Sequence, residues 1–484
     1  MSQSSKLKQN AISGIGWSMG GSIASYGITF IVGIILARLL SPEEYGLIGI
    51  ITIFITVFNG IIDSGFSNAL IRKQNVTQID CNTAFFTNLG VSLFLFSFLY
   101  LAAEPIASFF HNERLVLLTR IMGLCLIINA FSIIQIALLT KELDFKTQTK
   151  CSCISALLSG ILGIALAFWG YGVWALAWQQ ITQKAINTIC LWLFRDWRPN
   201  FYISKNSFKE LFSFGWKLMV AGILNNIWGQ LYQIVIGKCY TARVLGYYTK
   251  ANEYVNLVTI NLTSVIQKVS YPTLSRIQGD KERLKYGYRI IIRMAALVVF
   301  SCCMWMAACS KQLILVFIGE QWLPCVLMMQ IVCFNLALFP IHAINLNMLQ
   351  VQGRSDLFLK IEIVKKIAGI LPIVIGIFFN IIWMLIAGVV IGFCVEFVLN
   401  SHYSGKMLGY SSFQQVKDIA PAIFISLTMA TLVFIVGLIQ INPYILLPLQ
   451  CIIGFLVTIF LCEYFKLQEY IEIKNICGSI LKIR

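Results

Sequence analysis

The sequence predicts an all-α polytopic membrane protein of about 14 transmembrane helices, on three observations. The chain is 58% hydrophobic and only 12% charged, where soluble proteins average about 25% charged residues. Its apolar stretches are long enough, at about 20 residues or more, to cross a hydrocarbon core about 30 Å thick. The short links between them concentrate positive charge on alternate sides. Lipid offers the backbone no hydrogen bonds, so spans of this length must be helices.

In order, spans near 11–39, 43–70, 80–103, 114–140, 147–169 and 172–195 make an N-lobe over residues 1–195. A cytoplasmic linker, 196–209, follows with Pro199 among mixed polar residues. Spans near 210–237, 244–271, 287–309, 322–350, 357–379 and 381–404 make a C-lobe over 210–404, and 405–465 holds two further helices near 418–439 and 443–465. The tail, 466–484, sets Leu467, Tyr470, Ile471 and Ile473 among charges, as a cytoplasmic amphipathic helix lying at the interface would.

Orientation follows from the cations. One set of alternate links, with the N-terminal segment, holds 20 Lys/Arg, among them Lys6, Lys8, Arg72, Lys73, Lys141, Lys146, Arg195, Arg198 and Arg289; the other holds 5, namely Arg38, Arg114, Lys238, Arg243 and Lys311. Positive links stay inside, which places both termini in the cytoplasm. The net charge of +16 is thus an orientation signal and an attraction to anionic lipid, not a nucleic-acid footprint. The N-terminus shows no cleavable signal pattern. The 15 cysteines have neither zinc-ligand nor redox-pair spacing and read as small packing residues. Asn75 and Asn261 head glycosylation patterns, one on a cytoplasmic link and one inside a span, and read as chance matches. His111, His342 and His402 do not cluster, so no metal site is expected.

The chain repeats itself at about 200 residues. Gly16-Trp17 recurs as Gly215-Trp216, Tyr45-Gly46-Leu47 as Leu245-Gly246-Tyr247, Phe131 as Phe339 and Trp174 as Trp383. Six spans separate the partners, an even number, so the copies share one orientation and an axis along the membrane normal. Duplicated six-helix lobes point to a transporter, with substrate held between the lobes and no catalytic residues.

Polar residues at helical spacing mark candidate lining faces: Ser18, Ser22, Ser25, Tyr26 and Thr29 on span 1, Thr52, Thr56, Asn59 and Asp63 on span 2, Asn226 and Gln230 on span 7, and Lys250, Glu253 and Asn256 on span 8. For the Ser/Thr stripe of span 1, helix-to-helix glue is the better reading. Ionisable groups cost more, about 2.5–3.5 kcal/mol at a helix centre, and so point harder to function. Lys184, mid-span with Gln180 and Asn187 on its face, is the foremost candidate for substrate binding. Lys250, which can pair with Glu253, and Lys365, which can reach Glu362, are the others. Asp63, Glu253 and Glu396 are candidates for ion coupling, and Pro340 for a gating bend. Lys217, Lys268 and Arg293 sit near the cytoplasmic surface, where snorkelling is expected.

Four segments carry a family resemblance: Ala37-Arg-Leu-Leu-Ser-Pro-Glu-Glu-Tyr-Gly-Leu47, Asp63-Ser-Gly-Phe-Ser-Asn-Ala-Leu-Ile-Arg-Lys73, Leu143-Asp-Phe-Lys146 and Gly170-Tyr-Gly-Val-Trp-Ala-Leu176. Together they resemble the polysaccharide transporters, the Wzx/WzxC-like flippases of the multidrug/oligosaccharidyl-lipid/polysaccharide superfamily. The resemblance implies a two-lobed bundle that moves an undecaprenyl-diphosphate-linked oligosaccharide (a capsule, O-antigen or exopolysaccharide repeat unit) across the inner membrane. It implies alternating access through a cationic cavity, driven by H+, Na+ or the membrane potential, with no other cofactor. Implied partners are the lipid-linked oligosaccharide, membrane lipids, a polysaccharide polymerase and a chain-length regulator. Two rivals stay open: an ion-coupled multidrug exporter, whose cavity would be acidic, and a membrane-embedded polymerase, which would need a large outer loop. The longest outer links here, 104–113 and 310–321, run to only about a dozen residues.

Overall fold

The computed structural model describes residues 24–63, 65–352 and 354–482. The start of expected span 1, with Ser18, Ser22 and the Gly16-Trp17 copy of the repeat, lies outside the described residues, as do Lys6 and Lys8. Every regular element described is helical.

The first compact unit runs to Gly246. It contains α1 (Ala24–Leu39), α2 (Pro42–Asp63), α3 (Phe66–Arg72), α4 (Gln78–Leu101), α5 (Ala103–Phe109), α6 (Arg114–Met122), α7 (Leu124–Lys141), α8 (Phe145–Phe168), α9 (Val173–Phe194) and α10 (Lys205–Cys239). The second begins at Tyr247, inside α11 (Ala242–Arg276). It continues through α12 (Lys281–Ala308), α13 (Ser310–Phe317), α14 (Cys325–Ala337), α15 (Phe339–Val351), α16 (Ser355–Ala368), α17 (Ile370–Phe378) and α18 (Ile381–Ile391). A π-helical turn, Gly392–Phe397, leads into α19 (Val398–Leu408), α20 (Ser412–Gly437), α21 (Pro443–Tyr464) and α22 (Gln468–Lys482).

Nine helical stretches among the described residues are long and apolar enough to cross a bilayer. They match expected spans 2–5, 9, 10 and 12–14. The remaining five are instructive: α1 is described only from Ala24, span 11 is divided at Gly369 into α16 and α17, and α9, α10 and α11 carry amides and charges that dilute their hydropathy. α10 and α11 have 35 residues each, a length of about 50 Å, ample to span. α9, α10 and α11, whose apolar signal is weak, therefore carry several of the candidate lining residues.

Within the first unit the 196–209 stretch is pinned to the start of α4. Asn200 N–H donates to Asn82 Oδ1 (3.1 Å), Ser204 N–H to Thr83 Oγ1 (3.0 Å), and Gln78 Nε2 to the Arg198 carbonyl (2.7 Å). Phe85 packs edge-on against both Trp192 and Trp197. Arg195 grips Glu142 with both guanidinium nitrogens (2.6 and 2.5 Å), and this bond holds the Glu142 carboxyl below its ordinary range. The cysteines pack as expected where they are buried: Cys151 and Cys190 share a cluster with Leu139 and Leu191.

Arg293 corrects an expectation. It does not snorkel to the surface but binds Asp418 of α20, which also accepts from Arg289 (2.7 and 2.9 Å) and from the Tyr410 hydroxyl (2.6 Å). Asp418 is 6% exposed, whereas the arginines are 40% and 26% exposed, so the pairing is worth less than a fully buried one and more than a surface one. Asp418→Ala strands two guanidinium groups and a buried phenol. It is expected to cost about 2 kcal/mol, read as a drop of several degrees in the unfolding midpoint of detergent-purified protein at fixed scan rate. An unchanged midpoint would mean that water already satisfies those charges.

Candidate functional site

α9 positions the foremost candidate. At about 100° per residue, Lys184, Gln180 and Asn187 lie about 120–180° round the helix from Trp178, Ile189 and Leu193. Those three are 42%, 56% and 74% exposed, as lipid-facing side chains are. Lys184 is nonetheless exposed, with Gln180 and Asn187 part-buried beside it. Among the described residues its ammonium has no carboxylate and no hydrogen-bond acceptor. A charge that is accessible and unneutralised on the face opposite the exposed apolar one is costly against lipid, which keeps Lys184 as the foremost candidate.

The other two lysines differ. Lys250, 2% exposed, donates to Glu253 (2.8 Å) one turn along α11 and approaches the Tyr254 ring. Lys365 donates to Glu362 (2.5 Å) on α16. Each has its charge balanced on its own helix.

Around α2 the amides are engaged. Asn129 Nδ2 donates to Asn59 Oδ1 (3.0 Å), and Asn226 of α10 packs on α2 so closely that a Cβ at Gly60 would lie 2.8 Å from its Nδ2. Gln230 Oε1 is buried without a partner, and Asn256 is part-buried on α11. Asp63 Oδ1 accepts from the Ser67 backbone and hydroxyl, capping α3 across Gly65, whose φ of +71° suits glycine. The hydroxyls of Thr29 and Thr52 return to their own helices, at the Ser25 and Ile48 carbonyls, which favours the structural reading for these threonines.

In the second unit, the Lys365–Glu362 pair sits within electrostatic reach of Glu396 and of buried His342. His342 Nδ1 is in turn 3.2 Å from Asn400 Nδ2. Glu396 rides on the π-helical turn, an uncommon element enriched at functional sites. Pro340 stands in the first turn of α15, just after the one-residue interruption at Leu338 that separates it from α14, a position where its missing N–H costs the helix little. Spacing along the chain leaves Glu396, Lys365 and His342 apart; only helix packing brings them within electrostatic reach, and the wide turn carries no spacing signal.

The four segments that carried the resemblance build joints. Ser41 and Glu44 form reciprocal hydrogen bonds (2.7 Å from Ser41 N–H to Glu44 Oε2, 3.4 Å from Glu44 N–H to Ser41 Oγ) around Pro42, starting α2. Glu44 also lies over Gly172, where a Cβ would come within 2.4 Å of its Oε1 and φ is +56°. Asp144 caps α8 through Thr147, and Lys141 donates to the carbonyl of Leu70 in the last turn of α3 and to those of Lys73 and Gln74 just beyond it. Lys73 bridges Asp80 and Glu210.

A family model described as "Polysaccharide biosynthesis protein" matches residues 35–327. The succinoglycan biosynthesis transport protein ExoT of Rhizobium meliloti (strain 1021) is 25% identical over 308 residues, 64% of this chain and 62% of its own length. The lipopolysaccharide biosynthesis protein WzxC of Escherichia coli (strain K12) is 23% identical over 374 residues, 76% of each chain. The chain thus spans less than two thirds of the first relative and about three quarters of the second. Among solved structures, the lipid II flippase MurJ in its inward closed conformation matches with a TM-score of 0.72 at 15% identity, covering 92% of this chain and 98% of its own. That likeness shows the fold of a membrane transporter.

Proposed function

This chain belongs to the polysaccharide biosynthesis protein family, and on that premise we propose that it is a flippase for an undecaprenyl-diphosphate-linked oligosaccharide, the repeat unit of a capsule, O-antigen or exopolysaccharide. It would turn this substrate from the cytoplasmic to the outer leaflet of the bacterial inner membrane by alternating access, with both termini cytoplasmic, a reading that the 20-to-5 division of cations supports. The similarity to ExoT and WzxC, a transport and a biosynthesis protein for bacterial polysaccharides, supports the substrate class. The observation that carries it on this chain is Lys184, exposed on the face of α9 opposite Trp178, Ile189 and Leu193. A compact ammonium binds phosphate oxygens as a point charge, and Gln180 and Asn187 beside it supply donors and acceptors for sugar hydroxyls.

Coupling to H+ or Na+ is assigned to the second unit, where Glu396 lies near the Lys365–Glu362 pair. The proposed gating point is the interruption at Leu338 before Pro340, where the break between α14 and α15 would let the two change angle. A polymerase and a chain-length regulator are the proposed consumers of the flipped unit. The rival reading, export of cationic drugs, fits less well with an unneutralised cation on an inner helix face.

The test is direct. Purified protein in proteoliposomes is expected to move a fluorescent undecaprenyl-diphosphate oligosaccharide between leaflets, read by quenching from one side, and to leave a lipophilic cation where it is. Transfer of the cation alone would establish the exporter instead.

A further inference from the structure

The end of the second unit that bears the cation-poor links holds a cavity of ≈ 490 Å³. It opens where the last turns of α12 and α20 meet the first turns of α13 and α21. Its polar lining is Lys311, Gln312, Gln330 and Gln440, and no carboxylate lines it. Lys311 is exposed and has no carboxylate partner among the described residues. Gln312 is 5% exposed; its Nε2 donates to the Gly437 carbonyl (3.0 Å), while its Oε1 is buried with no hydrogen bond. An orphaned acceptor of this kind costs about 1–3 kcal/mol, so something with a hydroxyl is wanted beside it. Gln330, bonded to the Ala307 carbonyl (3.3 Å), joins this recess to a second cavity of ≈ 280 Å³. That one is a groove of Met304, Phe334, Leu427 and Phe434, and Phe334 and Leu427 are 46% and 43% exposed at its side.

A cation, an unpartnered acceptor and a greasy groove in series fit an amphiphile with a phosphate, a free hydroxyl and an acyl chain. We propose that this recess binds phosphatidylglycerol, its phosphate at Lys311, a glycerol hydroxyl donating to Gln312 Oε1 and one chain along Phe334 and Phe434. Zwitterionic lipids are disfavoured because no acidic side chain lines the cavity to meet their ammonium. The site shares no residue with the α9 face, and lipid occupancy is read whether or not the protein flips sugars, so the two proposals fail separately.

The full-length protein, delipidated in detergent, would be titrated with dioleoyl forms of phosphatidylglycerol, phosphatidylcholine and phosphatidic acid, and with undecaprenyl phosphate, counting bound lipid by native mass spectrometry. Phosphatidylglycerol is expected to bind about tenfold more tightly than phosphatidylcholine and several-fold more tightly than phosphatidic acid, which lacks the hydroxyls. Lys311→Gln should lower its retention about tenfold, Lys311→Arg should keep most of it, and Leu315→Trp, which fills the cavity, should abolish it. Equal binding of phosphatidylcholine, a match by phosphatidic acid, or preference for undecaprenyl phosphate would overturn the assignment. So would phosphatidylglycerol binding that Lys311→Gln and Leu315→Trp both leave intact.

Discussion

Lys184→Ala is expected to abolish transfer of a diphosphate-linked sugar while leaving insertion and melting unchanged. The side chain is exposed and makes no ion pair among the described residues, so its removal strands no buried partner and opens no cavity in the core. What is lost is an interaction with an ionised ligand, about 1.5–3 kcal/mol for a charge-assisted hydrogen bond, or about ten- to a hundredfold in affinity. Lys184→Gln should fail almost as badly, since an amide keeps the length but not the charge. Lys184→Arg should retain part of the activity, because guanidinium binds phosphate well but needs a different geometry. Lys250→Ala is the instructive contrast: it removes a 2% exposed group from its pair with Glu253, so its damage should appear first as lower stability. Full transfer by a well-folded Lys184→Ala protein would take the residue out of the site.

Lys184 was legible in the sequence because a charge at mid-span is costly and its neighbours at three and four residues are amides; no packing knowledge was needed. The same reasoning could not rank it above Lys250 and Lys365, since a carboxylate three residues away can pair or can point elsewhere. The structure separates them by showing both pairs closed. Arg293 was misread for a related reason. Depth near a surface predicts snorkelling, but the partner that holds it, Asp418, is 125 residues away and on another helix. The helical count shows the converse limit: among the described residues nine helical stretches meet a strict test of length and hydropathy, while α9, α10 and α11 fall short of it because they carry polar residues that lipid-facing helices lack. The repeat at Gly46 and Gly246 was visible as a weak identity, and its meaning becomes physical only in three dimensions.

Gly46→Ala is expected to lower the melting midpoint and sharply reduce transfer, because the two copies of the duplicated link pack on each other through their glycines. Each follows the same local plan: Ser41 caps α2 and Thr241 caps α11, accepting from the backbone N–H three residues on, and the glycine stands five residues beyond the cap. A Cβ on Gly46 would lie 1.7 Å from the Ala242 carbonyl oxygen, and one on Gly246 would lie 1.8 Å from that of Pro42. Both obstacles are backbone, so no side chain can swing away; the first turns of the two helices must part by more than 1 Å or so. Overpacking typically costs about 1–3 kcal/mol, and a clash with backbone belongs at the upper end. Because one separation relieves both clashes, Gly246→Ala should match Gly46→Ala and the double variant should be little worse than either, a coupling that independent sites would not show. Gly222→Ala on α10, where a Cβ meets nothing within 4 Å, should be neutral or gain about 1 kcal/mol from helix propensity. Wild-type melting and transfer in Gly46→Ala, or strictly additive losses in the double variant, would mean that the two first turns do not rest on one another.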